Sequence, residues 1–288
     1  MTEATVEGSC RRFRPMNLRH AVKQFVPPIL VSSWHRLRSN LGVREWEYLP
    51  GGWPSPNDLG IKGWDVESIA RVQKDKWSKS VNFTQGTGLP EDPRVQHTLL
   101  AYAYVLTLTA RMKDSVSVLD WGGGLGYYCA LGQALIPGVH IEYHCLETPA
   151  FCRVGRELLR EAVFYENESD CLRRRYDLVL VSGALQYFQE WRQVVQRLGQ
   201  VFQSYLFITR LPVVSQSGSF VVLQRPYQHG YQTEYPAWFL NRQEFLNSTN
   251  ATGLQLQREF LLSEKPFVPD APEQCEYRGY LFGKGSPL

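Results

Sequence analysis

Short apolar runs alternate with amphipathic segments along the chain from about residue 115. Four runs have the length and composition of buried strands: they are 116–119, 141–146, 176–181 and 205–209. Three segments between them have the helical period: they are 127–135, 149–160 and 191–201. Strands that alternate with helices in this way predict an α/β fold, with a mainly parallel sheet covered by helices.

The pattern changes in the last part of the chain. Residues 254–262 and 277–283 are two further strand candidates with no clear helix between them, so we expect an antiparallel pair at one edge of the sheet. A helix over 242–249 precedes them. Asn241 followed by Glu244 three residues later is typical of such a helix start.

The segments outside this pattern divide the chain into two predicted parts. Residues 1–64 form a loop-rich N-terminal extension, and 65–288 form the main domain, whose sheet begins near residue 115. Helices are predicted over 65–79 and 93–112, ahead of the first strand. The connection 211–240 exceeds an ordinary αβ loop, which predicts an inserted lid. An extra hairpin packed on the sheet edge is an equally open alternative.

A glycine-rich turn follows the first strand. Asp120 ends the apolar run, and Gly122, Gly124 and Gly126 follow at every second position before the helix. Such a turn leaves backbone N–H groups bare, and glycine lets a ligand approach them closely. The dinucleotide-binding pattern Gly-x-Gly-x-x-Gly does not match, because the position of its third glycine is occupied by Tyr127. The Walker phosphate-binding pattern does not match either, because no Lys-Ser or Lys-Thr follows the glycines. An acid here suits a ligand with an ammonium group better than a pyrophosphate.

A second acid lies at the end of the next strand. Glu147 comes 21 residues after Gly126, close to the spacing of about 20 at which an acid binds ribose hydroxyls in a βαβ unit. A solvated glutamate is the alternative interpretation. Asp120, Glu147 and the segments 182–187 and 210–212 all follow strand ends, where parallel sheets bind their ligands. The pattern therefore predicts one nucleotide-type pocket at this edge.

These residues resemble the class I S-adenosylmethionine-dependent methyltransferases. The resemblance implies a Rossmann-like sheet of seven strands and S-adenosyl-L-methionine as the cofactor. Asp120 would lie near the methionine amino group, and Glu147 would hold the ribose. The three glycines would allow close approach to the cofactor, and Leu185 and Gln186 would flank the cofactor and the acceptor.

Four further segments sharpen the resemblance: they are 176–188, 209–213, 222–225 and 231–238. They are similar to a group of bacterial methyltransferases of unassigned acceptor that are associated with surface polysaccharide biosynthesis. The resemblance implies a small polar or glycan-type acceptor, and transfer to oxygen is favoured. The chain departs from the family where an acid after the third strand often binds adenine, and Asn167, Glu168 and Asp170 are rival candidates.

Transfer of a methyl group to a hydroxyl calls for a base that removes the proton. His229, Glu234 and Tyr187 have suitable side chains within reach of the strand ends. His229 is the first choice, because an unperturbed imidazole titrates near neutral pH. His97 is a further histidine, for which a surface or capping role is the simpler interpretation. No metal is predicted.

Composition excludes some partners. A net charge of +3 over 288 residues does not imply nucleic acid, and six cysteines without metal-binding spacing fit a reducing cytosol, which predicts a cytoplasmic protein. The apolar segment 25–34 is too short to span a bilayer, and peripheral membrane contact is an alternative that is not favoured.

Two rival functions stay open at this point. A non-catalytic scaffold that binds S-adenosylmethionine in a biosynthetic complex would carry the same glycines and acids. An NAD-dependent sugar-modifying enzyme would need a Tyr-x-x-x-Lys pair near the strand ends. Tyr187 and Tyr205 are followed four residues later by Trp191 and Thr209, so that pair is absent there.

Overall fold

The computed structural model describes residues 44–55, 63–81 and 92–284. The predictions for residues 1–43, with the apolar segment 25–34, and those for 56–62 and 82–91 lie outside these ranges. The described residues belong to one compact unit of the chain, which starts at Arg44.

The described chain contains ten strands and seven α-helices. The strands are β1 (Trp46–Leu49), β2 (Ser115–Trp121), β3 (His140–Leu146), β4 (Val163–Tyr165), β5 (Tyr176–Ser182), β6 (Phe202–Val214), β7 (Phe220–Gln224), β8 (Tyr235–Asn241), β9 (Gln255–Leu262) and β10 (Glu276–Gly283). The helices are α1 (Glu67–Val81), α2 (Pro93–Ala110), α3 (Tyr127–Leu135), α4 (Pro149–Leu158), α5 (Glu168–Cys171), α6 (Trp191–Val201) and α7 (Arg242–Ala251).

Seven of the strands form the main sheet, in the order β4-β3-β2-β5-β6-β10-β9. Neighbours from β4 to β6 are parallel, and β10 lies between β6 and β9, antiparallel to both. This topology confirms the predicted Rossmann-like α/β sheet with its antiparallel edge pair. The strand β4 was not among the sequence-based candidates, because three residues are too few to show an alternating pattern.

Alternation along β5 separates two layers of core. Val179 and Val181 point to the face that α6 covers with Trp191. Leu178 and Leu180 point to the opposite face, which α2, α3 and α4 cover. All four β5 side chains are fully buried, and burial of each contributes about 1.5–3 kcal/mol to the free energy of unfolding. The central strands are therefore held rigidly, with their carboxyl ends at one edge.

A smaller sheet continues from the end of β6. Val213 and Val214 pair in parallel with the last residues of β8, which is antiparallel to β7, and β7 is antiparallel to β1. The segment 211–240 therefore contains the end of β6, a β-hairpin and two short connections. Of the two sequence-based alternatives, the structure shows the hairpin. Its partner β1 comes from the predicted N-terminal extension, residues 1–64.

Five cysteines lie within the described ranges, and all are free and buried: they are Cys129, Cys145, Cys152, Cys171 and Cys275. Burial raises the pKa of each thiol above its ordinary value. Across the same ranges, no helix has both the length and the apolar character that a bilayer crossing requires.

Candidate functional site

The turn between β2 and α3 brings three glycines into the left-handed region. The angle φ is +74° at Gly122, +60° at Gly124 and +84° at Gly126. A Cβ at Gly122 would lie 2.6 Å from Cβ of Ala184, and one at Gly126 would lie 2.6 Å from Cδ1 of Leu159. Both the dihedral angles and the available space therefore require glycine in this loop.

The N–H groups of these three glycines are all hydrogen-bonded, so the bare groups that the sequence predicted for the turn do not lie at these positions. Gly122 and Gly126 donate to neighbouring backbone carbonyls at 2.9 Å and 3.1 Å. Gly124 donates to Oε1 of Glu147 at 2.9 Å. These glycines therefore leave room for a ligand to approach the backbone, and hydrogen bonds to that ligand must come from the side chains around them.

Asp120 is completely buried at the end of β2. The hydroxyl of Tyr143 donates to its Oδ2, and its Oδ1 has no hydrogen-bond partner among the residues that the structure describes. Burial raises the pKa of this carboxyl to about 7; the Tyr143 hydrogen bond lowers the pKa, and the charge of Glu147 raises it further. A cation at Oδ1 would relieve the unfavourable burial of the ionised carboxylate.

Glu147 closes the loop from the end of β3. Its two carboxylate oxygens accept the N–H groups of Gly124 at 2.9 Å and Thr148 at 2.8 Å. Burial raises the pKa of Glu147, although these two hydrogen bonds lower it. The side chain thus lies against the glycine loop, as a residue that binds a ribose there must.

The helix α1 packs over the glycine loop, a contact that the sequence did not reveal. Ile69 forms a small apolar cluster with Leu125 of the loop and Phe151 of α4. On the same helix, Oε1 of Gln73 lies 3.3 Å from the position of a Cβ at Gly124. The sequence predicted the helix but not its partner, because an amphipathic pattern shows a buried face without showing what covers it.

Three aromatic rings lie together beyond the end of β5. Trp64 stacks on Tyr235 at 4.3 Å between ring centroids, and Tyr187 lies 5.0 Å from each of them. Burial raises the pKa of Tyr187 well above its ordinary value, and its hydroxyl donates to Gln224 at 3.0 Å. Tyr187 is therefore a neutral phenol that can donate a hydrogen bond.

Leu185 and Gln186 differ in their surroundings, although they are adjacent. Leu185 is completely buried within the core layer that α6 covers. Gln186 is 2% exposed, and its Oε1 has no hydrogen-bond partner. Gln186 thus offers a vacant acceptor, whereas Leu185 supports the turn from the core side.

His229 and Glu234 lie in a polar network around the hairpin. Nε2 of His229 is 3.5 Å from the carboxylate of Glu45, just ahead of β1, and the imidazole is half exposed. Glu234 accepts the hydroxyl of Tyr227 and lies 3.3 Å from Nε of Arg225. These described partners belong to the hairpin and to the start of β1, and the structure does not bring either candidate base into contact with Asp120 or Glu147.

The three candidates for adenine recognition are placed differently. Glu168 accepts the indole N–H of Trp121 at 3.1 Å and pairs with Arg197 at 2.9 Å. Asp170 lies 3.6 Å from Arg173. The side chain of Asn167 is exposed and does not cap the helix α5 that it precedes. The hydrogen-bonding groups of Asn167 are thus the most accessible of the three.

Vacant acceptors at the carboxyl edge test whether S-adenosylmethionine fits. Among the buried oxygens that have no hydrogen-bond partner within the described ranges are three at this edge: they are Oδ1 of Asp120, Oγ1 of Thr148 and Oε1 of Gln186. Asp120 lies at the end of β2, and Thr148 and Gln186 follow β3 and β5, which are the neighbours of β2 in the sheet. An unpaired buried polar atom costs about 1–3 kcal/mol. A ligand with an ammonium group and ribose hydroxyls supplies donors to such a set, so the residues fit this cofactor.

No family model and no curated protein matches this sequence. Several solved structures match in part. The N-terminal domain of EvdMO1 with S-adenosylhomocysteine bound is 15% identical, with 68% of this chain and 83% of that chain covered and a TM-score of 0.44. A S-adenosylmethionine-dependent methyltransferase from Clostridium acetobutylicum is 10% identical, with coverages of 76% and 98% and a TM-score of 0.46.

A third solved structure contains a small-molecule substrate. The 1,6-didemethyltoxoflavin-N1-methyltransferase of Burkholderia thailandensis, with 1,6-didemethyltoxoflavin and S-adenosylhomocysteine bound, is 13% identical to this chain. The match covers 81% of this chain and 100% of that chain, with a TM-score of 0.44.

Proposed function

We propose that this chain is a S-adenosylmethionine-dependent methyltransferase. The observation that carries the proposal is the glycine loop between two acids, with Asp120 buried before it and Glu147 hydrogen-bonded to its middle glycine. A dinucleotide would need N–H donors for its pyrophosphate, and the three glycines already use theirs. The buried carboxyl of Asp120 favours a cation over phosphate, which supports a sulfonium ligand with an amino group.

Each pocket residue has a proposed part in holding the cofactor. Asp120 would accept from the methionine amino group, and Glu147 with Thr148 would accept from the ribose hydroxyls. Gln186 would accept a donor from the cofactor or the acceptor. When bound, S-adenosylmethionine supplies an activated methyl group, so the chain mainly has to align the acceptor, which can be worth about 7–11 kcal/mol of the barrier.

We propose a small polar or glycan-type acceptor that is methylated on oxygen. The stacked rings of Trp64, Tyr187 and Tyr235 support this, because flat aromatic faces beside hydrogen-bonding groups suit a sugar or another ring. A cytoplasmic role in surface polysaccharide biosynthesis, which the sequence resemblance implies, is part of the same proposal.

The three proposed catalytic side chains would have different parts. The hydroxyl of Tyr187, whose pKa is raised, would have to release its hydrogen bond to Gln224 before it could donate to an acceptor oxygen. His229 and Glu234 stay predictions for the base. Either one would have to exchange its present partner, Glu45 or Arg225, for the acceptor.

The test is a calorimetric titration with S-adenosylhomocysteine, with NAD as the comparison ligand. We expect saturable binding of S-adenosylhomocysteine alone. Glu147→Gln should weaken it about tenfold to a hundredfold, because hydrogen bonds to charged groups contribute about 1.5–3 kcal/mol. Glu142→Gln is the matched control: this residue lies on β3, the strand that Glu147 directly follows, but it binds Arg174 at 2.7 Å, and the affinity should stay within about twofold.

Three other results would change the assignment. Saturable NAD binding without S-adenosylhomocysteine binding would favour the nicotinamide enzyme. Equal losses in both glutamate variants would remove Glu147 from the pocket. Binding of S-adenosylhomocysteine without methyl transfer to any acceptor would favour the scaffold.

A further inference from the structure

Arg210 has an unusual backbone conformation within β6, beside the point where β5 ends. Its φ is +53°, a left-handed value that a residue with a side chain rarely adopts. Gly183 follows the neighbouring strand β5, and Nη1 of Arg210 lies 3.5 Å from the position of a Cβ on that glycine. Strain of this kind costs about 1–3 kcal/mol and often marks functional positions.

The guanidinium group of Arg210 is aligned by an acid. Its Nε and Nη2 donate to the two carboxylate oxygens of Glu264, at 2.7 Å and 3.2 Å. The Arg210 side chain is 41% exposed, so the pair faces a space that a ligand can reach. Nη1 is left as a donor beside the end of β5.

A hydroxyl pair connects this position to the cofactor side. The hydroxyl of Tyr128, in the first turn of α3 after the glycine loop, lies 2.7 Å from the hydroxyl of Ser182 at the end of β5. Burial raises the pKa of Tyr128 to about 12, while the charge of Arg210 and the hydrogen bond to Ser182 lower it. The charge of Arg210 therefore reaches Tyr128, in the first turn of α3.

A histidine contacts the residue that precedes Glu264. His97, in the second turn of α2, lies with its Nδ1 2.9 Å from Oγ of Ser263, the residue before Glu264. Its side chain is exposed. When Nδ1–H donates to Ser263, Nε2 is a free acceptor. The sequence suggested only a surface or capping role, since Ser263 lies 166 residues away.

We propose that Arg210, Glu264 and His97 form the acceptor site, with His97 as the base for a hydroxyl of a neutral, hydroxyl-rich acceptor. This rests on the proposed methyltransferase function and moves the acceptor away from His229 and Glu234. In this proposal the ion pair of Arg210 and Glu264 binds the acceptor, and the hydroxyl pair of Ser182 and Tyr128 borders the cofactor.

The chemistry of the pair selects a neutral acceptor. Glu264 already balances the charge of Arg210, and Arg94, on the first turn of α2, is paired with Asp92 at 2.5 Å. An anionic acceptor would meet the carboxylate of Glu264. A diol matches the pair, because a hydroxyl donates to a carboxylate and accepts from a guanidinium at once.

The transfer step balances with these groups alone. The acceptor oxygen bonds to the methyl carbon as the carbon–sulfur bond breaks, and that bond's electron pair stays on sulfur. The hydroxyl proton passes to Nε2 of His97, which becomes an imidazolium. The products are a methyl ether and S-adenosylhomocysteine.

The test measures transfer of radiolabelled methyl groups from S-adenosylmethionine to a deproteinised extract of the producing organism, at several dilutions. The variants are His97→Gln, Arg210→Lys and His229→Gln. Lysine keeps the charge and the backbone strain at Arg210 but loses the two-pronged guanidinium geometry. His140→Gln is the matched control, because His140 is exposed at the start of β3, the opposite edge of the sheet.

We expect His97→Gln to lower the maximal rate about 10²-fold or more without changing the half-saturating dilution. Arg210→Lys should raise the extract concentration needed for half saturation about tenfold. His140→Gln should stay within about threefold of the unchanged chain, and the loss in His229→Gln should be smaller than the loss in His97→Gln. Affinity for S-adenosylhomocysteine and thermal unfolding should be unchanged in His97→Gln. The labelled product should pass through an anion-exchange column and survive mild alkali, as a neutral methyl ether does.

Contrary results separate this proposal from the proposed function. A large loss in His229→Gln with full activity in His97→Gln would overturn the site, while methyl transfer itself would stand. Retention of the product on the anion exchanger, or release of methanol by alkali, would overturn the acceptor class. No transfer by the unchanged chain despite S-adenosylhomocysteine binding would overturn both the site and the enzyme and leave the scaffold.

Discussion

Replacing Asp120 by Asn is expected to stabilise the ligand-free protein at pH 8 and to weaken its binding of S-adenosylhomocysteine. Burial raises the pKa of Asp120 to about 7, against about 3.9 in an unfolded chain. Between these two pKa values the Asp120 carboxyl is protonated in the folded protein and ionised in the unfolded chain. Its free energy of unfolding falls as the pH rises through that window.

The size of the effect follows from the width of the window. A difference of three pKa units between the folded and unfolded chain lowers the free energy of unfolding by about 4 kcal/mol at pH 8. The Asn amide would leave an unpaired N–H where Oδ1 lies, which costs about 1–3 kcal/mol. A net gain of about 1–3 kcal/mol at pH 8 is expected, and it should shrink towards pH 5. Loss of the carboxylate charge should weaken S-adenosylhomocysteine about tenfold or more at pH 8.

Urea unfolding at pH 5 and pH 8 measures the change in stability, and calorimetry measures the change in affinity for S-adenosylhomocysteine. Asp177→Asn is the control with the opposite sign. Burial tends to raise the pKa of Asp177, but hydrogen bonds from Lys113 and Ser117 outweigh it and lower the pKa. The ionised carboxylate of Asp177 therefore contributes to the free energy of unfolding above about pH 4, and this contribution is lost as the pH falls further. Because Asp177→Asn removes the contribution, this variant should be less stable than the unchanged chain at pH 8. Destabilisation by both replacements at pH 8 would contradict the account of Asp120.

Replacing Gly126 by Ala is expected to lower the free energy of unfolding by about 2–5 kcal/mol. The left-handed φ of +84° costs about 1–2 kcal/mol with a side chain, and overpacking of a core costs about 1–3 kcal/mol. The new Cβ would lie 2.6 Å from Leu159 and 3.3 Å from Phe164, both buried. The shifted loop should also bind S-adenosylhomocysteine more than tenfold more weakly.

Gly138→Ala is the matched control for this prediction. A Cβ at Gly138 meets no atom within 4 Å, and its φ lies outside the left-handed region. Its free energy of unfolding should change by no more than about 0.5 kcal/mol. Urea unfolding measures both variants, and a Gly126→Ala chain as stable as Gly138→Ala would show that the loop can relax around a side chain.

Local signals account for the part of the fold that could be predicted. The Asn241 side chain accepts from the N–H of Glu244 at 3.0 Å, as the spacing of the two residues predicted. The helices α3 and α6 have the predicted bounds, 127–135 and 191–201. Each of these features depends on residues within one or two turns of one another, so a single sequence contains the necessary information.

Long-range pairs account for what the sequence missed. Glu47 and Arg225 are 178 positions apart and meet at 2.5 Å across the small sheet. The pairing of β1 with β7 was not foreseen, because a four-residue strand within a loop-rich segment gives no periodic signal. The hydrogen bonds made by the glycine N–H groups were missed for a related reason, since Glu147 reaches Gly124 from the next strand.

The sequence by itself determined the alternation of strands and helices from β2 to β6, apart from the short elements β4 and α5, together with the glycine loop and the two acids at the ends of β2 and β3. Hydrophobic periodicity and turn chemistry are local, and parallel strands bring their carboxyl ends to one edge. Only the tertiary structure decided that α1 covers the glycine loop and that Arg210 pairs with Glu264 beside His97. Those contacts depend on how separate elements pack, and no short stretch of sequence records the partner of a side chain that lies far along the chain.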